Sequence, residues 1–126
     1  MARILVIDSH KTTKSSLAEV FSEHELTQAN DAGTAIVAAN QHTPDIVILE
    51  LSLASHSGLE FLYEFRTYQD WEHIPVLVYT TVRLQDTVLR SRAWQQLAVA
   101  DYLYKPDTTL ENLRLAVEKY VSGVSV

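Results

Sequence analysis

The chain has no cysteine, and that absence removes disulfide staples, thiolate nucleophiles and cysteine-ligated zinc together. Glycine is almost as scarce. Only Gly33, Gly58 and Gly123 occur, which leaves neither a G-x-G-x-x-G fingerprint nor a P-loop to cradle a phosphate. Positive charge is also short: Lys and Arg total 10 against 16 Asp and Glu, a net charge of −6, which argues against direct nucleic-acid binding because grip on a phosphate backbone comes from clustered cations. No apolar run approaches the length of a bilayer span, and Met1-Ala2-Arg3 leads straight into a strand-like segment instead of a signal peptide. The expectation is a cytoplasmic protein without membrane contact. The histidines, His10, His24, His42, His56 and His73, fall in different segments without metal-ligand spacing and read as surface or loop residues. Asp8-Ser9-His10 is not read as a triad, because no G-x-S-x-G elbow surrounds the serine and sequence neighbours point apart. No enzyme activity is expected.

What is present is an ordinary globular composition of 126 residues, 47% hydrophobic and 21% charged, enough for one domain over residues 1–126 with its own core. Short apolar runs alternate with segments of helical spacing. Arg3-Ile4-Leu5-Val6-Ile7 has the continuous apolarity of a strand buried on both faces, and Leu17, Val20 and Phe21 give the next helix one stripe. His24 to Ala29 reads as an edge strand. Asn30-Asp31 can cap a second helix carrying Ala32, Ala35, Ile36 and Ala39. Asp45 to Leu49 is the strongest strand signal, and Gly58 then opens a helix with Leu59, Leu62 and Phe65. Pro75 precedes the strand Val76-Leu77-Val78-Tyr79, and Val82 to Leu97 reads as a fourth helix of mixed pattern. A last strand, Asp101-Tyr102-Leu103-Tyr104, meets Lys105-Pro106. Thr108-Thr109-Leu110-Glu111 is a capping-box pattern for a helix striped by Leu110, Leu113, Val117, Tyr120 and Val121. Residues 122–126 read as the start of a linker. Five βα units in order predict a parallel sheet covered by helices on both faces.

In such a sheet the working crevice lies beyond the carboxyl ends of the strands. Asp8-Ser9 follow the first strand, Glu50 the third, Thr80-Thr81 the fourth and Lys105-Pro106 the fifth. Acid, hydroxyl and lysine ending different strands make a site for an anionic group. At this point "RILVIDSH", "PDIVILELSLASHSGLEFL", "IPVLVYTT" and "DYLYKP" resemble, in order and spacing, the receiver domain of bacterial two-component response regulators over essentially the whole chain. The resemblance implies a flavodoxin-like (βα)5 fold, doubly wound around a five-stranded parallel sheet, and a cis Lys105-Pro106 bond. It also implies a phosphoacceptor pocket at Asp8, Ser9, Glu50, Thr80 and Lys105, with Thr80 and Tyr102 as the switch pair.

The sequence departs from that family at the acids. Glu50 stands where an active receiver has its acceptor Asp, Ser9 replaces the second acid of the Mg²⁺ pair, and Ala54 stands where Pro is common. Mg²⁺ demands tight octahedral geometry from oxygen ligands, and phosphoryl transfer depends on positioning and charge neutralisation. Loss of one acid and a longer side chain at the acceptor position therefore predict little phosphorylation and no cofactor. The reading is an atypical receiver acting as a phosphorylation-independent protein-interaction module. Its partner is expected to be a histidine kinase, an output domain or a second copy of the chain. Two alternatives stand beside it: a functional phosphoacceptor with Mg²⁺ held by Asp8, Glu50 and the Ser52 carbonyl, and a flavodoxin-like small-ligand binder. Glu50 itself has a plainer reading as a solvated loop acid, and Ser9 as the cap of the first helix. Arg90, Trp94 and Tyr104 fall by resemblance on the face receivers use for partners, although Trp94 equally suits the core below its helix.

Overall fold

The computed structural model of the chain describes residues 1–54 and 57–122. The readings of His56 as a loop residue and of 123–126 as the start of a linker lie outside the described residues. Strands β1 (Arg3–Ile7), β2 (Glu25–Ala29), β3 (Ile46–Leu49), β4 (Val76–Thr80) and β5 (Asp101–Tyr104) form one parallel sheet in the order β2-β1-β3-β4-β5. The central strands are continuous apolar runs, and β3 and β4 are buried at every position, as expected for parallel strands covered on both faces.

Alternation along the strands divides the core into two clusters. Leu5, Ile7, Val47, Leu49, Val76 and Val78 face α2 (Ala32–Gln41) and α3 (Gly58–Phe65). Ile4, Val6, Ile46, Ile48, Leu77 and Tyr79 face α1 (Lys11–Val20) and α6 (Leu110–Val121). In the first cluster Phe65 is fully buried, stacked on Phe61 at 4.9 Å and on Trp71 at 5.0 Å between ring centroids. Truncating such an aromatic to alanine typically costs about 3–5 kcal/mol.

Several local expectations need correction. The single helix expected over Val82–Leu97 is two short ones, α4 (Asp86–Leu89) and α5 (Arg92–Gln96). Ser91 breaks it: its backbone is extended, its hydroxyl accepts from the Trp94 N–H, and that hydroxyl donates to the Val88 carbonyl at 2.6 Å. A serine that can bond its own backbone competes with helix continuation. Ser9 does not cap α1. The cap position is His10, whose N–H donates to the Asp8 carboxylate at 2.7 Å. In α6 the cap is Thr109, with its side chain accepting from Asn112 N–H, while Glu111 pairs with Arg114 and Leu110 is exposed. No cis peptide bond occurs among the described residues, so Lys105-Pro106 is trans. Pro106 lies inside the 3-10 turn Lys105–Asp107, where the fixed proline φ suits the helical backbone. Asp31 caps α2 as expected, accepting from Thr34 N–H.

Candidate functional site

β3 delivers Glu50 to the carboxyl edge of the sheet, and the chain returns close beside it at Ser57 and Gly58. Ser52 bridges to Ser57, and Gly58 N–H donates to the Leu51 carbonyl at 2.7 Å. A Cβ on Gly58 would lie 2.3 Å from the Glu50 carbonyl oxygen and 2.9 Å from the Leu51 Cα. Only glycine allows α3 to start so close to the strand end. Glu50 is shielded from water: the residue is 1% exposed, so it is not a solvated loop acid.

The buried carboxylate is fully engaged. Glu50 Oε2 accepts from the Thr80 hydroxyl and from Ser52 N–H at 3.0 Å, and Oε1 accepts from Lys105 Nζ at 3.0 Å, Thr81 N–H at 3.1 Å and Thr81 Oγ1 at 3.2 Å. These five donors fill the roughly four lone-pair sites of a carboxylate. Thr80 is held for the task because its oxygen accepts from Val82 N–H at 3.0 Å, leaving its proton for Glu50. Lys105 reaches in from the end of β5 and donates to Asp8 Oδ2 at 2.7 Å, to Glu50 and to Thr13 Oγ1 at 3.4 Å. All three ammonium donors thus have partners inside the protein. Burial pushes the Glu50 carboxyl up, but hydrogen bonds from Thr80, Ser52 and Lys105 and the Lys105 charge outweigh it. Together they hold the carboxyl below the ordinary glutamate value of 4.5.

Asp8, 2% exposed, divides its oxygens between two neighbours. Oδ2 takes Lys105, and Oδ1 takes both the His10 N–H and the His10 Nδ1 at 2.9 Å. A carboxylate can only accept here, so Nδ1 carries the proton. The contact corrects the expectation that these sequence neighbours point apart. His24 is corrected too, because its side chain is only 11% exposed. Its Nδ1 accepts from Ala2 N–H at 3.0 Å and its Nε2 meets Glu118 at 2.9 Å.

The structure therefore brings together Asp8, Glu50, Thr80, Thr81 and Lys105, which the sequence places at the strand ends, and adds Thr13, His10 and the Ser52 N–H. One signal pointed to an addition: Thr13 lies on the first turn of α1, beside that end of the sheet. Tyr102 stands apart from the carboxylates. Its hydroxyl donates to the Val82 carbonyl at 2.8 Å and accepts from Leu84 N–H at 2.9 Å, clasping the β4–α4 segment.

The predicted interaction face divides. Trp94 is 9% exposed and packs into the core cluster beside Leu97, so it is removed from that face. Arg90 is exposed, and Tyr104 is half-buried beneath the Arg83 guanidinium at 4.4 Å.

A family model described as "Response regulator receiver domain" matches residues 4–118. The chain belongs to that family. As a receiver domain it is a module of signal transduction, and its sheet order and paired helix layers are those of the flavodoxin-like receiver fold. PilH of Pseudomonas aeruginosa is 28% identical over 109 residues, covering 84% of this receiver and 87% of that protein. Response regulator Rcp1 of Synechocystis is 30% identical over 113 residues, covering 81% and 75%. The probable transcriptional regulatory protein TcrX of Mycobacterium tuberculosis is 31% identical over 105 residues, and the match spans only 43% of its length. The Mn²⁺-bound form of Rcp1 superposes with a TM-score of 0.77 at 25% identity, covering 100% of this receiver and 98% of that chain. Chemotaxis protein CheY4 of Vibrio cholerae, with a TM-score of 0.82 at 20% identity, shares the fold. Among the described residues, no helix is long and apolar enough to cross a membrane.

Proposed function

We propose that this receiver works as a protein-interaction module whose state is set by its own Glu50 and not by phosphoryl transfer. One observation carries the reading: the Glu50 carboxylate occupies the donor set formed by Thr80, Thr81, the Ser52 N–H and Lys105. Backbone N–H groups, a hydroxyl and an ammonium converging on one point are what an incoming phosphoryl group would need. Here a side-chain carboxylate fixed to β3 takes them first. A partner would then read one constant conformation, with Tyr102 clasping the β4–α4 segment and the neighbouring surface carrying Arg90 and Tyr104.

Mg²⁺ fits this donor set poorly. Both Glu50 oxygens and both Asp8 oxygens already accept hydrogen bonds, Ser9 contributes no carboxylate, and the Lys105 ammonium bridges the two acids at 2.7 and 3.0 Å. Octahedral coordination at about 2.1 Å would require Lys105 to withdraw and Glu50 to abandon its donors. The reading is tested by intact mass after incubation with a small acyl phosphate and Mg²⁺. The wild-type chain is expected to stay unmodified, whereas the double variant S9D/E50D, with the second acid restored and the acceptor shortened, gains one phosphoryl group. A stoichiometric phosphoryl adduct on the wild type that vanishes in E50Q would replace the proposal with a glutamyl-phosphate receiver.

A further inference from the structure

A second site lies at the opposite end of the sheet from Glu50. Asn40 in the last turn of α2, Thr43 just before β3, and Tyr68, Asp70 and Trp71 between α3 and β4 line a cavity of about 390 Å³. That volume is within the range of cavities that take ligands.

The walls have a definite chemistry. Trp71 is buried and rigid, stacked on Phe65 at 5.0 Å, and Tyr68 meets it edge-on at 4.8 Å. Tyr68 is itself fixed, donating its hydroxyl proton to Glu64 at 3.0 Å. The side chains of Asn40, Thr43 and Asp70 have no hydrogen bond or ion pair among the described residues. An amide oxygen, a hydroxyl oxygen and a carboxylate are thus left with open acceptor sites around an aromatic wall. No lysine or arginine lines the cavity. The nearby Arg66 is turned inward, donating to the carbonyls of Leu97, Trp71, Glu72 and Ala98.

Asp70 and the neighbouring Glu64 repel anions, while aromatic faces and free acceptors suit a planar cation with several N–H donors. We propose that this cavity receives an arginine side chain presented by a protein partner, the guanidinium pairing with Asp70 and resting against Tyr68 and Trp71. The chain's net charge of −6 would steer such a basic partner toward it. The inference rests on the receiver acting through protein contacts. Its failure is separable from failure of that reading, because the phosphodonor experiment reports on the other end of the sheet.

The test is an amide NMR titration of the full chain with three probes: the peptide acetyl-Gly-Arg-Gly-amide, its citrulline counterpart, and agmatine. The arginine peptide is expected to give saturable shifts at Asn40, Thr43, Tyr68, Asp70 and Trp71, and the citrulline peptide none. D70N, altering an exposed side chain without an internal partner, should keep the folded spectrum and weaken arginine-peptide binding about tenfold. The variant N40L, which removes an acceptor without changing charge, should weaken it less. Three results would each overturn the proposal: no saturable shift, equal response to citrulline, or binding indifferent to D70N. Agmatine binding as tightly as the peptide would also overturn it, assigning the cavity to free small cations instead.

Discussion

Glu50 is held by charge and hydrogen bonds in a place where an unpaired acid would be costly. Replacing it with Gln keeps the shape and an acceptor but removes the charge, leaving Lys105 with Asp8 as its one anionic partner among the described residues. Losing charge-assisted bonds at a buried site predicts a destabilisation of about 1–3 kcal/mol, read as a lower urea midpoint at neutral pH. The pH dependence carries a sign. A carboxyl held below its unfolded value stabilises the fold fully above about pH 4.5 and loses that contribution as pH falls through the folded value. Wild type and E50Q should therefore differ most near neutrality and converge in acid; a constant gap across that range would assign the loss to packing instead of charge. A Glu after a buried strand, with Thr80 and Lys105 ending others, was legible in the sequence as a site. Thr81 was placed at the same strand end, but that its backbone N–H and that of Ser52 complete the donor set was not legible, because backbone donors leave no mark on residue identity.

The elements around the site depend on a few contacts that a hydrophobic pattern does not encode. Residues 82–85 are not helical, and Tyr102 ties them down through Val82 and Leu84. Y102F removes both bonds while keeping the ring, so it should cost about 0.5–1.5 kcal/mol per lost bond and speed amide exchange at Leu84; unchanged exchange there would mean the segment holds itself. Arg66 does similar work at the other end, where its guanidinium bonds to the carbonyls closing α5 and the turn Gln69–Trp71. Periodicity over Val82–Leu97 suggested one long helix of mixed pattern because Leu84 and Val88 mark a core side, with Arg83, Arg90, Arg92 and Trp94 crowding the rest. It missed the break at Ser91, where a local side-chain bond outweighs propensity. The glycine at 58 was readable as a helix start, but its close approach to the Glu50 carbonyl was not. G58A should consequently be destabilised by about 1–3 kcal/mol in a chemical melt and shift the Ser52 and Thr81 amides, since its Cβ would overlap backbone.

Across the whole molecule, the order and two-faced burial of the strands were legible because a parallel sheet writes itself as apolar runs separated by amphipathic helices. The two core clusters follow from that alternation. Trp94 went to the core and not to the surface because α5 turns it inward beside Leu97, a direction that composition cannot reveal. The reading of Glu50 requires an intact receiver architecture with its anion site already occupied from within. Amide NMR with up to about 10 mM Mg²⁺, a concentration that saturates weak carboxylate sites, followed by beryllofluoride as a phosphoryl mimic, tests that requirement most directly. No saturable shifts are expected at Asp8, Glu50, Thr80 and Lys105 and no propagation to Tyr102, with S9D/E50D responding under the same conditions. Saturable shifts at those residues in the wild type, spreading to Tyr102 when the mimic is added, would contradict that reading.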